Sequence, residues 1–375
     1  MSTNLRDEIE RVLVAWDAYE VSVGAPPVVD FDCRPSLDGA EAIGRVQAYQ
    51  ELAGLRQAAA EDLAGRVDCH LAYLGALLGE RLPLRDYVRR TQGCDVTGWS
   101  DDYVTWRGDQ AREAMARLGI SWGSATRDDL LDSEHNLTVD EIPDALRKAA
   151  DEFEPLVRKA TGTTADYNLT IETDNVDAYW SYWLDGSGKD ARLRLNMRNA
   201  RFTDVQARQF ALHEILGHAL QCASYSARCL SEDVPWVRIL SVHADHQVLL
   251  EGLAQAWPLF VAPEDEALVA HVKLDHYLQL VRGELHIAIN DGVSVADCLA
   301  HARARVPFWG DEVIGRVLGD RGADSLLRSY QWAYPAGVDW FVKLAETGDA
   351  ETITDVLTAA YRSPLTPGEL DARLG

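Results

Sequence analysis

The sequence predicts a mainly α-helical fold with a small antiparallel β-sheet next to one helix that carries a histidine–glutamate motif. Apolar residues recur with helical spacing from residue 4 to about 160, which predicts a series of amphipathic helices. Between residues 166 and 198 the apolar and polar residues alternate instead, which is typical of short strands. Thr203 and Gln206 then have capping-box spacing, which predicts the start of a further helix.

Length and charge limit the classes of function. The chain has 375 residues, of which 47% are hydrophobic, so it is long enough to bury a large core. Its formal net charge of −24 argues against partners that select clustered Lys and Arg, namely nucleic acid and an anionic membrane surface. We expect a helical N-terminal region over residues 1–165 and a second region over 166–375, packed as one compact unit. Nothing in the sequence indicates the oligomeric state.

The cysteines and the N-terminus indicate a cytoplasmic protein. The six cysteines are scattered and form no Cys-x-x-Cys pair, so neither a disulfide framework nor a thiolate zinc site is predicted. The first residues are charged and lack the basic start and apolar run of a signal peptide. No stretch of the sequence is long and apolar enough to span a bilayer.

The N-terminal region divides into four helical stretches. A first helix runs from about residue 4 to the Gly24–Pro27 segment, and an alanine- and leucine-rich run follows over 39–90. A third helix is predicted near 102–118. Thr138 and Glu141 have capping-box spacing before a fourth helix that ends near residue 160.

Three strands are predicted over residues 167–172, 178–184 and 191–197, the last two joined by a hairpin across 185–188. Alternation places Leu193, Leu195 and Met197 on the inner face. Because the last strand leads into the histidine-bearing helix, an exposed edge beside that helix could hold an extended peptide by β-augmentation. The alternative is that the sheet only covers the helical core.

The motif His213-Glu214-Ile-Leu-Gly217-His218 places its two histidines five residues apart. On a regular α-helix, five residues rotate by about 500°, which leaves the second histidine about 140° from the first. Two histidines in that arrangement could not easily reach one ion. We therefore predict either a π-bulge, which raises the local repeat to five residues, or a distortion made easier by Gly217.

Glu251 is the candidate third ligand. It lies in the sequence Glu-Gly-x-Ala on a helix predicted to begin near residue 237, one helix after the motif, as in metallohydrolases with two His ligands and one Glu ligand. His243, Asp245 and His246 precede it on the same predicted helix and could contribute around the ion. The alternative for all four residues is a charged face turned to solvent.

The chain resembles a family of largely helical, zinc-metallopeptidase-like bacterial proteins, domain of unknown function 885, from about residue 204 to the C-terminus. The resemblance rests on Leu212-His213-Glu214 through Gln221, Glu251 through Ala254, Leu285-His286, and a tail with Asp355, Pro364-Leu365 and Glu369-Leu370. It implies His213, His218 and Glu251 as metal ligands and Glu214 as the general base.

A zinc ion held by these ligands, one per chain, would lower the pKa of a bound water, and Glu214 would take the water's proton. The oxyanion formed on attack also needs a hydrogen-bond donor, for which His286 is the first candidate, followed by Tyr330 and Tyr334. The remaining histidines are predicted to be core or surface residues: His70, His135, His271, His276 and His301.

The sequence thus predicts a metal-dependent hydrolase that acts on an amide or peptide bond of a small substrate. Two alternatives remain open at this point. One is a metal-dependent biosynthetic enzyme with the ion as Lewis acid on a non-peptide substrate, and the other is a non-catalytic binding protein that retains the fold.

Overall fold

The protein is mainly helical, as the sequence predicts. The computed structural model describes residues 4–35, 41–177 and 181–374. The helices are α1 (Leu5–Ser22), α2 (Arg45–Ala58), α3 (Glu61–Leu77), α4 (Leu84–Gln92), α5 (Asp101–Arg117), α6 (Thr126–Ser133), α7 (Ile142–Thr161), α8 (Asp204–Phe210), a π-helix (Ala211–Ala219), α9 (Leu220–Ser231), α10 (Gln247–Val261), α11 (Glu266–Asn290), α12 (Val295–Arg305), α13 (Asp311–Ala323), α14 (Leu327–Tyr330), α15 (Ala333–Thr347), α16 (Ala350–Ala360) and α17 (Pro367–Asp371). None of the helices in these ranges combines the length and apolar character needed to cross a membrane.

One five-stranded sheet lies among the helices. Its strands are β1 (Phe31–Asp32), β2 (Asn168–Asp174), β3 (Tyr182–Ser187), β4 (Asp190–Asn196) and β5 (Ile239–Leu240), in the order β2-β4-β3-β1-β5. The sheet is mixed, because β2–β4 and β1–β3 are parallel while β3–β4 and β1–β5 are antiparallel. Of the three predicted strands, β3 and β4 form the predicted antiparallel hairpin, whereas β2 pairs parallel with β4, so the sheet is not antiparallel throughout. Residues 178–180 of the predicted second strand, and residues 39 and 40 of the predicted 39–90 run, lie outside the described residues.

The last of the three predicted strands is not an edge strand. β4 is paired with β2 on one side and with β3 on the other, so neither of its sides is free. β1 is paired with β3 only at Gly186 and Ser187, whereas β4 is paired with it over Tyr182–Ser187. The first residues of β3 thus have a ladder on the β4 side alone among the residues that the structure describes. Leu193 and Leu195 are fully buried in the main core cluster, which confirms the predicted inner face for these two residues.

Helices α10 and α15 cross with their backbones in contact at Gly252 and Gly337. A Cβ atom at Gly252 would lie 2.5 Å from the Cα of Gly337, and one at Gly337 would lie 2.8 Å from the Cα of Gly252. Glycine at both positions is what lets the two helices approach this closely. Because Glu251 directly precedes Gly252, the crossing fixes where the Glu251 side chain leaves α10.

The helix that carries Glu251 begins later than the sequence predicted. Residues 239–240 form β5, and α10 starts only at Gln247. The intervening turn is held by the backbone bond from Ala244 N to the Ser241 carbonyl and by Ser241 N donating to His246 Nε2, at 3.1 and 3.3 Å. Pairing of β5 with β1 outweighs the local helical pattern, since this contact comes from the distant N-terminal segment.

The region from 237 to 246 also carries the side chains that were expected near the ion. His243 Nε2 lies 2.8 Å from His70 Nδ1, and Asp245 forms a buried ion pair of 2.5 Å with Arg66. In the described part of the chain these groups join the N-terminal helices to the start of α10. The expectation that His243, Asp245 and His246 lie on one helix with Glu251 was wrong.

Substituting Gly337 by Ala will lower the free energy of unfolding by about 3 kcal/mol, at the upper end of the cost of overpacking, because the added methyl group meets backbone atoms of α10 that cannot move away. Urea unfolding measures the change. Gly319→Ala in α13 is the matched control, since a Cβ there meets no atom within 4 Å. The control should gain up to about 1 kcal/mol from helix propensity. Equal stabilities of the two variants would show that the crossing is looser than described.

Candidate metal centre

The histidine motif lies in the middle of one continuous helix that runs from residue 204 to residue 231. Its start is fixed by a complete capping box: Gln206 N donates to Thr203 Oγ1, and Thr203 N donates to Gln206 Oε1, both at 3.1 Å. The capping box predicted from the sequence is confirmed. It fixes the start of the helix at Asp204, nine residues before His213.

The π-helix brings the two histidines together. Five residues complete about one turn where hydrogen bonds run from i to i+5, so His213 and His218 lie on the same face. Their Nε2 atoms are 3.2 Å apart, and the rings meet edge to face with centroids 4.7 Å apart. The predicted π-type repeat is confirmed. Gly217 serves packing, since a Cβ there would lie 2.9 Å from the Cβ of Ala254 on α10.

Glu251 completes a triangle of ligand atoms. Its Oε2 lies 3.4 Å from His213 Nε2 and 3.8 Å from His218 Nε2. The carboxylate is buried, and Oε2 has no hydrogen-bond donor among the described residues, whereas Oε1 accepts a bond of 2.6 Å from the Tyr330 hydroxyl. An acceptor left without a donor in a buried site points to a ligand that takes its electron pair.

The triangle fits a divalent ion such as zinc. Zinc binds imidazole nitrogen and carboxylate oxygen at about 2.0–2.2 Å, and a tetrahedral arrangement then separates neighbouring ligand atoms by about 3.3–3.6 Å. The measured separations of 3.2, 3.4 and 3.8 Å bracket that value. His213, His218 and Glu251 are thus a group that could hold a metal ion. The same donor set also suits cobalt and other transition metals.

The surroundings of the triangle are negatively charged. Burial lowers the pKa of His218, but the close contact and negative charge of Glu251, with the charges of Glu214 and Asp30, outweigh it and raise this pKa to about 9. Burial raises the pKa of Asp30 to about 7, and the charges of Glu251 and Glu214 act in the same direction. Clustered negative charges of this kind favour a bound cation.

Asp30 is the residue near the centre that sequence reasoning missed. It directly precedes β1, and its backbone N–H donates to the Leu240 carbonyl at 2.9 Å. Because β1 and β3 are parallel and Phe31 pairs with Gly186, Asp30 lies opposite Asp185. No motif surrounds it in the sequence. Only the pairing of β1 with β3 and β5 brings this N-terminal segment to the centre.

Glu214 lies beside the ligands and has no partner other than His213 among the described residues. Its Oε1 is 3.7 Å from His213 Nε2, and the side chain is buried. Among the described residues it accepts no hydrogen bond and pairs with no Lys or Arg. A carboxylate in this position can take up a proton without first losing a partner.

Tyr330 and Tyr334 form a short hydrogen-bond chain that ends on Glu251. The Tyr330 hydroxyl donates to Glu251 Oε1 at 2.6 Å, and the two hydroxyl oxygens are 2.8 Å apart. Because the only proton of Tyr330 is committed to Glu251, Tyr334 is the donor in the second bond. Both tyrosines were singled out from the sequence, and the structure brings both to the centre.

His286, the first candidate for an oxyanion donor, lies elsewhere. It is fully buried, its Nε2 is 2.9 Å from the Arg328 carbonyl oxygen, and its ring packs against Trp332. A side chain with no exposed surface cannot reach a substrate, so this position gives the predicted role no support. Four of the other histidines predicted to be structural have side-chain partners: His70 with His243, His271 with Glu134, His276 with Asp339 and His301 with Glu284. The side chain of His135 makes no hydrogen bond or ion pair with a described residue.

Comparisons with known proteins show a distant structural similarity. No family model matches the chain, and no curated protein matches its sequence. A candidate lipoprotein from Colwellia psychrerythraea aligns with 88% of this chain at 12% identity and a TM-score of 0.56, and the chain spans 59% of that protein's length. This likeness concerns the fold alone.

Two carboxypeptidases align less closely. The M32 carboxypeptidase from Deinococcus radiodurans R1 has 15% identity and a TM-score of 0.39, with 88% of this chain and 74% of that chain covered. The metallocarboxypeptidase 1 of Trypanosoma cruzi has 11% identity and a TM-score of 0.35, with 98% and 95% covered. With TM-scores below 0.5, neither alignment carries a conclusion about this chain.

Purified protein exchanged into zinc and then desalted will contain about one zinc per chain by elemental analysis. The variants His213→Ala, His218→Ala and Glu251→Ala will lose it, because each removes one of three converging ligand atoms. His301→Ala is the matched control, since this histidine is partly exposed and pairs with Glu284. Zinc-free wild type, with no rise of the melting temperature on adding zinc, would contradict the assignment.

Proposed function

We propose that this protein is a zinc-dependent hydrolase of amide or peptide bonds in small substrates, with one zinc per chain. The observation that carries the proposal is the juxtaposition of an uncommitted carboxylate, Glu214, with three converging ligand atoms, one of them an acceptor without a donor. A binding protein that merely kept the fold would have no need of a free buried carboxylate. No family model matches the chain, so the resemblance of residues 204–375 to domain of unknown function 885 stays an expectation, and the ligand set rests on the geometry.

His213, His218 and Glu251 would hold the ion, which when bound polarises a substrate carbonyl and makes a water molecule acidic enough to lose its proton near neutral pH. Glu214 would take up that proton on its carboxylate and later deliver it to the leaving nitrogen. Its position one residue after His213 keeps it at the centre throughout, because both are fixed by the same turn of the π-helix.

Tyr330 and Tyr334 would have different tasks. Tyr330 orients Glu251 by donating to Oε1, which leaves Oε2 for the ion, an arrangement that typically raises metal affinity. Tyr334 donates its proton to the neutral hydroxyl of Tyr330, and a hydrogen bond between neutral groups is weaker than one to a charged group. Tyr334 can therefore turn its hydroxyl to a substrate oxygen. We therefore assign the oxyanion donor to Tyr334, in place of His286.

A peptide substrate is supported by the first residues of β3, which have no strand partner on the β1 side among the described residues. Tyr182 packs its ring against Phe210, the last residue of α8, so β3 runs alongside the helix of the two histidines. Tyr182–Asp185 are paired with β4 but not with β1. An extended peptide could pair with this side of β3 and place a carbonyl at the centre.

Glu214→Gln will retain about one zinc per chain and lose about 10²–10⁴-fold in turnover, because the amide cannot take up a proton. The assay is hydrolysis of a mixed dipeptide and tripeptide library, followed by mass spectrometry. The control Glu312→Gln changes an exposed carboxylate on α13 and should leave turnover intact. A Glu214→Gln variant that hydrolyses peptides at the wild-type rate would exclude this residue as the base.

Tyr330→Phe will weaken zinc binding about 10–100-fold, because Glu251 loses the hydrogen bond that orients it. Competition with a chelator of known affinity measures the change. The matched control is Tyr49→Phe, whose hydroxyl makes no hydrogen bond to any described residue. Unchanged affinity in Tyr330→Phe would show that α10 alone orients the carboxylate.

A further inference from the structure

Two arginines beside the tyrosine pair have no acidic partner. Arg282 lies on α11 and Arg321 on α13, and in the described ranges no carboxylate oxygen lies within 4.0 Å of either guanidinium, although most other buried or half-buried arginines of the chain have such a partner. The sequence holds 60 acidic residues against 36 Lys and Arg, so acidic partners are abundant. Unpaired arginines are therefore notable in this chain.

The contacts that these guanidinium groups do make leave much of their hydrogen-bonding capacity free. Arg282 is half-buried and lies over the Trp309 ring, 5.2 Å from its centroid, and no hydrogen bond involves its side chain in the part of the chain that the structure describes. Arg321 is only 4% exposed, and it donates from Nη2 to Gln331 Oε1 at 2.9 Å while its Nε has no acceptor. Each guanidinium has five N–H donors, so both are far from satisfied.

The arginines adjoin the segment that reaches the metal centre. Gln331, the acceptor for Arg321, directly follows Tyr330, whose hydroxyl binds Glu251. Arg282 directly precedes Gly283, where a Cβ atom would lie 3.7 Å from the Cβ of Pro335, the residue after Tyr334. Tyr334 is also within electrostatic reach of both arginines and of Glu251 and Glu214. The tyrosine pair thus adjoins both an acidic centre and a basic neighbourhood.

Holding two positive charges here costs free energy. Burial lowers the pKa of Arg321 to about 9, and the charge of Arg282 lowers it further. Burial also lowers the pKa of Arg282; Asp275 opposes this shift, but its carboxylate already accepts a bond of 2.8 Å from Gln209. Exposed Arg127 adds a third positive charge near Arg282. An anion bound between these groups would remove most of the penalty.

We propose that Arg282, with Arg321 behind it, binds the C-terminal carboxylate of the substrate. This inference rests on the proposed hydrolase and narrows its substrates to peptides with a free C-terminus, cleaved close to that end. A guanidinium matches the two oxygens of a carboxylate, and its stacking on Trp309 leaves the edge of the fork free to donate. Such a local site is needed because a chain of net charge −24 repels anions at long range.

The test uses one library of N-acetylated dipeptides and tripeptides made twice, with free C-terminal carboxylates and with carboxamides. Hydrolysis by the zinc-loaded wild type should favour the carboxylates at least tenfold in kcat/KM. In Arg282→Gln this ratio should fall towards one, chiefly through KM, and Arg282→Lys should keep part of it. The control Arg303→Gln removes an exposed arginine that pairs with Asp311, and it should keep the wild-type ratio.

A binding measurement separates failure of this inference from failure of the proposed function. Calorimetry on zinc-loaded Glu214→Gln should show tighter binding of the carboxylate library than of the carboxamides, and Arg282→Gln in the same background should abolish the difference. Hydrolysis without a carboxylate preference would overturn the inference and leave the hydrolase standing. A carboxylate preference in binding without hydrolysis by the wild type would support the inference and overturn the proposed hydrolase. No preference in either measurement would overturn the inference.

Discussion

The π-helical turn of residues 211–219 is the constraint on which the rest of this site depends. It converts a spacing of five residues, which would point two histidines away from each other on an α-helix, into a pair whose Nε2 atoms are 3.2 Å apart. Everything else places groups against this turn: Gly217 admits α10, α10 supplies Glu251, and the Gly252–Gly337 contact brings α15 and Tyr334 alongside. Loss of the π-type repeat would leave Glu251 facing a single histidine.

The charges of the site are sorted into two neighbourhoods. Glu214, Glu251 and Asp30 surround the two histidines, so this end attracts a cation. Arg282 and Arg321 adjoin the tyrosine pair and would bind an anion. Tyr330 and Tyr334 belong to both, since their hydroxyls end on Glu251 while Gln331 between them accepts from Arg321. A substrate with a polar carbonyl and a terminal carboxylate has matching charges along its length.

Local sequence patterns predicted the parts of this site that depend on nearby residues. The capping box at Thr203, the irregular repeat between His213 and His218, and the buried alternation of Leu193 and Leu195 all follow from spacing within a few residues. The parts that were missed depend on contacts between distant segments. Asp30 reaches the centre through strand pairing, and β5 replaces a predicted helix start. Arg282 stands out only because no carboxylate oxygen of the described residues lies within 4.0 Å of its guanidinium, which no local pattern predicts. The predicted boundary between residues 165 and 166 stays a prediction.

The contact between Gly252 and Gly337 also bears on which ions the site can accept. Because the backbone contact at Gly252 and Gly337 leaves α10 no room to move closer to α15, it limits how far Glu251 can move relative to the two imidazoles. A large, hard cation such as calcium needs six to eight oxygen ligands at about 2.3–2.6 Å, and a rigid triangle with two nitrogen atoms offers neither the number nor the room. Ion selectivity would thus be enforced by the helix crossing, at a position where no side chain is present.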